Sequence, residues 1–192
     1  IIGNPLITKK KYYFKKKNNF IALSVGRLEY QKNFTFLIKA FQKVIKKIPY
    51  AKLYILGEGS QYQYLNNLIK GLNLQKNIFL EGFKLNPKNY FLKSDLFIMT
   101  SRWEGFGNVL VEAMSYGNKI ICTTYKGGPK EILKNNKESM IKTNSTEILS
   151  KNIIFQLTRK NSRSNSKKMI RSSFNYMIDE ISNKYLCFTN KL

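Results

Sequence analysis

The chain has 192 residues, of which 43% are hydrophobic and 14% aromatic, enough to bury the core of one domain, so disorder is excluded as the default. It carries 34 Lys and Arg against 11 Asp and Glu, a formal +23, which calls for an anionic partner: a diphosphate ligand, an anionic membrane face or nucleic acid. It has no histidine, and its two cysteines, Cys122 and Cys187, lie far apart, which excludes Ser-His and Cys-His pairs, a CxxC metal ribbon and a disulfide framework.

Residues 1–19 read as a linker, with Pro5 and the run Lys9-Lys10-Lys11-Tyr12-Tyr13-Phe14-Lys15-Lys16-Lys17. Such interleaving can grip an anionic membrane or single-stranded nucleic acid, although a charge run is more often solvated. The abundance of Lys, Asn and Ile together is also what an AT-rich coding sequence produces. An apolar run over 20–25 predicts a buried strand ending at Gly26. Phe34, Leu37, Ile38, Phe41, Val44, Ile45 and Ile48 then form the stripe of a helix that Pro49 ends. A second strand over 52–56 turns at Gly57-Glu58-Gly59 into a helix carrying Tyr62, Leu65, Leu68 and Ile69. A lone GxG without the third glycine of GxGxxG is read as a tight turn.

Further strands are predicted over 77–80, 95–99 and 119–123, with a weak sixth over 139–142. Helices are predicted around 87–93, over 108–116 with Gly117 closing it, from Pro129 onward, and over 146–157. Strands alternating with helices predict a doubly wound, Rossmann-like α/β domain with a parallel sheet over 20–157, and a polar segment with a C-terminal helix over 158–192. That last helix packs across the sheet or against a partner. In such sheets, ligands sit beyond the carboxyl ends of the strands. No apolar run reaches membrane-spanning length and no secretory signal opens the chain, so the expected location is cytoplasmic, peripheral to the inner membrane face if the lysine run binds lipid.

The strongest chemical signal is Ser101-Arg102-Trp103-Glu104-Gly105-Phe106-Gly107-Asn108-Val109-Leu110-Val111-Glu112. The glycines let backbone approach a ligand closely. The free N–H groups of Gly107, Asn108, Val109 and Leu110 at a helix start suit a pyrophosphate. Glu104 in the loop would face a sugar, Phe106 would shape its pocket, and Glu112, one turn into the helix, would accept from ribose hydroxyls. Taken singly, Glu104 reads as a surface glutamate, Glu112 as a first-turn glutamate, and Arg27 and Lys32 as solvated cations.

This stretch resembles the E-x7-E signature of retaining GT-B glycosyltransferases, specifically the large family four. Gly26-Arg27-Leu28-Glu29-Tyr30-Gln31-Lys32-Asn33 is similar to that family's first-strand motif, Glu81-Gly82-Phe83 to the loop whose backbone receives the nucleobase, and Gly127-Gly128-Pro129-Lys130-Glu131-Ile132-Leu133 to its late glycine segment. The similarity runs in order from Gly3 to Leu157. It implies the C-terminal, nucleotide-sugar-binding half of a GT-B fold and a retaining glycosyltransferase of the polysaccharide- or glycan-assembly kind. The donor is a nucleoside-diphosphate sugar, a UDP-sugar for preference, and the acceptor lipid-linked or a surface polysaccharide.

Glu104, Arg27 and Lys32 are then the catalytic candidates. Substrate contacts are expected from Gly26, Arg27, Lys32, Phe83, Glu104, Gly105, Phe106, Gly107, Asn108, Val109, Leu110 and Glu112, with no metal or other cofactor. The resemblance also implies an N-terminal Rossmann domain that supplies the acceptor site and a catalytic histidine. The chain is expected to need such a domain in trans and to be inactive alone. The alternative is a non-catalytic basic domain for nucleic acid or membrane surfaces, or an accessory subunit of a transferase.

Overall fold

The fold follows from five short strands buried on both faces, seen in a computed structural model that describes residues 19–123, 127–160, 162–177 and 180–183. The strands are β1 (Ile21–Val25), β2 (Lys52–Leu56), β3 (Ile78–Leu80), β4 (Leu96–Met99) and β5 (Lys119–Cys122). They form one parallel sheet in the order β3-β2-β1-β4-β5. The chain moves outward from β1 through β2 to β3, then returns to the other side of β1 with β4. The crevice at which strand order reverses therefore lies between the carboxyl ends of β1 and β4.

Continuous apolar runs fit this double burial, with side chains alternating between two cores. Ala22, Leu53 and Ile98 face one side, where Leu37, Ile38 and Phe41 of α1 (Phe34–Ile45) and Leu149, Ile153 and Leu157 of α6 (Thr146–Thr158) cover them. The helix α2 (Tyr62–Gly71) adds Leu65 and Ile69 to the same core. Leu23, Phe97 and Ile120 face the other side, under Phe91 of α3 (Lys88–Lys93), Leu110, Val111 and Met114 of α4 (Asn108–Ser115), Ile132 of α5 (Gly128–Ile132) and Met169 of α7 (Arg163–Ser173). The C-terminal helix thus lies against α4, and Ser166 and Ile170 close on Gly117, where a Cβ would sit 3.1 Å from the Ser166 Cβ.

Two buried charges have positional roles. Asp95, directly before β4, accepts from the backbone N–H groups of Asn19 (2.8 Å) and Ile21 (3.1 Å) and so fixes the start of the central strand. Lys119, only 7% exposed, donates its Nζ to the carbonyls of Gln156 and Arg159 at the carboxyl end of α6, where a cation complements the helix dipole. Burial lowers its pKa.

The expected sixth strand over 139–142 does not form. Residues Lys137–Ser139 are taken up in a 3-10 turn, leaving Met140 a single parallel bridge to Cys122 and Ile141 one hydrogen bond to the Cys122 carbonyl (2.9 Å). The lysine–aromatic run over 9–17 and Cys187 lie outside the described residues.

Candidate functional site

The residues after β1 begin with Gly26, whose N–H donates to the Leu56 carbonyl (2.9 Å), while Leu28 donates to the Glu58 carbonyl (2.8 Å). The Gly57 turn must approach closely here: a Cβ on Gly57 would stand 2.0 Å from the Gly26 carbonyl oxygen. That distance admits no side chain, so the glycines of this turn serve backbone contact, as their reading as a tight turn requires. Arg27 is exposed and its guanidinium meets no hydrogen-bond partner among the described residues.

Lys32 ends a 3-10 turn, Tyr30–Lys32, and its stem lies over Gly26. Its ammonium meets Glu104 Oε1 at 2.5 Å, with the two side chains 15% and 8% exposed. A pair this buried is costly to break from one side, about 3–5 kcal/mol, because the remaining charge is left uncompensated. The turn after β1 and the loop after β4 are also joined by further hydrogen bonds. Arg102 N–H donates to the Gln31 carbonyl (2.8 Å), Gln31 Nε2 to the Trp103 carbonyl (2.8 Å), Arg102 Nη2 to Asn33 Oδ1 (3.2 Å), and Thr100 Oγ1 to the Lys32 carbonyl (3.1 Å). Ser101 Oγ also donates to Glu104 Oε1, at 2.6 Å.

The loop then turns at Gly107, whose φ of +88° caps α4 in a left-handed conformation. A third segment braces it from behind. Gly128 N–H donates to the Gly105 carbonyl (2.8 Å), and Cβ atoms on Gly127 and Gly128 would stand 2.6 Å from the Glu104 carbonyl oxygen and 2.0 Å from that of Phe106. Both positions are closed to any side chain.

The helix start differs from expectation in one detail. Leu110 N–H is not free: it donates to the Gly107 carbonyl (2.9 Å), because the first turn closes with an i to i+3 bond. The N–H groups of Gly107, Asn108 and Val109 remain without a partner among the described residues. The Phe106 ring is also engaged: it meets Tyr176 edge-on at 5.6 Å and packs, partly buried, against the core that α4 and α7 share.

Glu112, one turn into α4, is half-buried, and its carboxylate accepts nothing from the described residues. Burial alone raises its pKa above the usual carboxylate value. Phe83, 65% exposed, stands beyond β3 with its N–H directed at Glu58 Oε1 (3.4 Å). It lines a cavity of about 390 Å³ with Val25, Gly26, Arg27, Gly57 and Pro87 at the carboxyl ends of β1 and β2. A larger open groove, about 680 Å³, lies on the α1 side and is lined by Tyr30, Asn33, Lys39, Arg102 and Thr143; it includes none of the expected substrate-contact residues.

The structure therefore brings Lys32 and Glu104 into contact and places Gly26, Arg27 and Phe83 around one cavity. It sets Glu112 on the helix whose open N–H groups begin the same segment. Sequence reasoning missed Ser101, Gln31 and the bracing role of Gly127-Gly128. The glycine pair was visible; what it touches was not.

The fold is a parallel, doubly wound α/β domain with cations, glutamates and an open helix start gathered near the carboxyl edge of its sheet. The chain belongs to the glycosyl transferases group 1 family, whose model matches residues 7–173. Relatives include an uncharacterised glycosyltransferase of Methanocaldococcus jannaschii, 42% identical over 125 residues (65% of this chain, 31% of that protein). Another is the N-acetylgalactosamine-N,N'-diacetylbacillosaminyl-diphospho-undecaprenol 4-alpha-N-acetylgalactosaminyltransferase of Campylobacter jejuni, 38% identical over 140 residues (73% and 36%). The chain thus spans about a third of the length of these curated relatives.

Among solved structures, the S. aureus TarM mutant in complex with UDP superposes with a TM-score of 0.80 at 24% identity, covering 97% of this chain and 37% of that one. Anabaena HepE in complex with UDP-glucose gives 0.79 at 22% identity, covering 91% and 50%. These structures share the fold. The chain is a glycosyltransferase domain of GT-B type.

Proposed function

We propose that this chain holds the donor, a UDP-sugar, for a transferase that moves the sugar with retention of configuration onto a lipid-linked or polysaccharide acceptor. The observation that carries the reading is the Lys32–Glu104 pair, which ties a phosphate-type cation to a sugar-type carboxylate across the crevice where strand order reverses. On this reading, the base enters the cavity bordered by Phe83, the ribose hydroxyls donate to Glu112, and the diphosphate meets Arg27, Lys32 and the N–H groups of Gly107, Asn108 and Val109. Support comes from relatives: the Campylobacter protein is named for an undecaprenol-diphosphate-linked acceptor, and TarM and HepE were crystallised with UDP and UDP-glucose.

The chemistry needs charge stabilisation where it develops. As the bond from the anomeric carbon to the diphosphate breaks, negative charge grows on the departing oxygen, and Arg27, Lys32 and the helix start neutralise it. Glu104 accepts from sugar hydroxyls and holds the ring in place. Positioning of the acceptor hydroxyl, worth roughly 7–11 kcal/mol of barrier in well-oriented systems, would come from a second domain on the same protein or in trans.

Calorimetry of the chain with UDP tests the reading: saturable binding that EDTA leaves unchanged is expected, since the two cations supply the neutralisation. Folded protein that ignores UDP at low salt while binding RNA with a steep salt dependence would replace it with the basic-domain alternative. Binding of the donor without multiple-turnover transfer is expected from the chain alone, and addition of an acceptor-binding domain should restore transfer.

A further inference from the structure

We propose that Ser101 is a positioning residue for Glu104, holding the carboxylate by one oxygen so that the other is kept for a donor-sugar hydroxyl; this rests on the reading that Glu104 meets the sugar. Two donors converge on the same atom: Lys32 Nζ at 2.5 Å and Ser101 Oγ at 2.6 Å both reach Oε1. A carboxylate oxygen offers about two lone-pair sites, so Oε1 is filled. Oε2 receives no hydrogen bond from the described residues. The side chain is 8% exposed, and Oε2 is not among the buried oxygens that lack a partner, so the accessible part of the carboxylate includes this oxygen and leaves it open to a ligand hydroxyl.

The two donors are not equivalent. Lys32 is the cation assigned to the diphosphate, and its long stem lets the ammonium be shared with, or drawn toward, an incoming phosphate. Ser101 has no such freedom. It is buried, its hydroxyl sits on a short side chain, and the backbone on its carboxyl side is pinned to Gln31 at Arg102 and Trp103. When the diphosphate competes for Lys32, Ser101 is the donor that stays, and Glu104 keeps its orientation.

Ser101 therefore acts on the sugar through Glu104 and has no role toward the nucleotide. That separates it from a merely structural serine, whose loss would weaken UDP and UDP-sugar alike.

The test is calorimetry on the full chain with UDP, UDP-glucose, UDP-galactose and UDP-N-acetylglucosamine. The proteins compared are wild type, Ser101→Ala, Ser101→Thr, Ser101→Cys and Glu104→Ala. Ser101→Ala is expected to leave UDP within about twofold of wild type while weakening at least one UDP-sugar about tenfold, the scale of one hydrogen bond to a charged group. Ser101→Thr, which keeps the hydroxyl, should restore that sugar, and Glu104→Ala should lose it selectively as well. Should the alanine variant not fold, Ser101→Cys, close in size and a weak donor, carries the same expectation.

Equal losses for UDP and every UDP-sugar in Ser101→Ala, or no loss at all while Glu104→Ala still loses the sugar, overturn the positioning role and leave the donor-site reading standing. An unchanged sugar-to-UDP ratio in Glu104→Ala overturns the assignment of Glu104 itself, and the Ser101 role with it.

Discussion

Replacing Glu112 by Gln should make the unliganded chain more stable and its nucleotide binding weaker, and both effects follow from one structural fact. The Glu112 carboxylate is half-buried on α4 without a donor among the described residues, and burial alone raises its pKa above 4.5. A raised carboxylate contributes stability below its unfolded pKa and loses it as pH rises through the folded value. Once ionised, Glu112 is a desolvated anion, which glutamine, of the same shape and without charge, is not. The stability gain should vanish near pH 4 and open as pH rises beyond 4.5, read as the difference in urea midpoints across pH.

On binding, the anion accepts from the ribose hydroxyls, each bond to a charged group being worth about 1.5–3 kcal/mol net. Glutamine retains one neutral acceptor, so the expected loss is of that order, roughly 10- to 100-fold in Kd for UDP. 2′-Deoxy-UDP supplies the control. It lacks one of the two hydroxyls, so wild type should discriminate against it and Glu112→Gln should discriminate less. A variant that binds UDP as wild type does, or that is less stable than wild type at pH 7 without nucleotide, refutes the reasoning.

Other substitutions probe the supports of the site. Gly128→Ala sets a Cβ 2.0 Å from the Phe106 carbonyl oxygen, backbone that yields only if the loop moves, so thermal unfolding should show a loss of about 1–3 kcal/mol and calorimetry a lower affinity for UDP. Gly105→Ala, whose Cβ meets nothing within 4 Å, should leave stability unchanged in the same melt. Tyr90 donates its hydroxyl to Glu81 Oε2 at 2.6 Å, and chiefly that bond pushes its pKa up to about 12. Tyr90→Phe should therefore cost about 1–2 kcal/mol below pH 10, with the difference from wild type shrinking between pH 10 and 12 as the wild-type phenol ionises.

The alternation of strands and helices was legible because it is local: each apolar run and each 3.6-residue stripe declares its element without knowing its neighbours. The sixth strand failed for the same reason. Residues 139–142 have strand-like composition, but the 3-10 turn at Lys137–Ser139 uses the residues that pairing would have needed. Lys119 shows a second kind of blindness. A lysine opening a buried strand looks misplaced until the carbonyls that satisfy it, 37 and 40 residues onward at Gln156 and Arg159, are known. At the site, the motif over 101–112 exposed its glycines and carboxylates. The sharing of one Glu104 oxygen by Ser101 and Lys32 depends on a loop 72 residues away and has no signature in spacing. The open N–H count at α4 likewise depended on whether its first turn closed at i+3 or i+4.

The Lys32–Glu104 pair bears on how a cation is held ready for an anionic ligand in so basic a chain. Part of the positive charge lies away from the crevice: Lys43 on α1 pairs with Glu147, and Lys168 on α7 pairs with Glu138. Within the crevice, Lys32 already has a counter-charge in Glu104, held at 2.5 Å, so that cation is balanced before a ligand arrives. On the proposed reading, the diphosphate exchanges one anionic partner of Lys32 for another, or shares it, and does not create an ion pair from two solvated groups. Such an exchange avoids much of the desolvation cost that a new buried pair would carry. It also means that specificity cannot come from Lys32, which accepts any anion; it has to come from groups that recognise shape and hydroxyls, the cavity beside Phe83, Glu112, and the Glu104 oxygen that Ser101 keeps turned to one use.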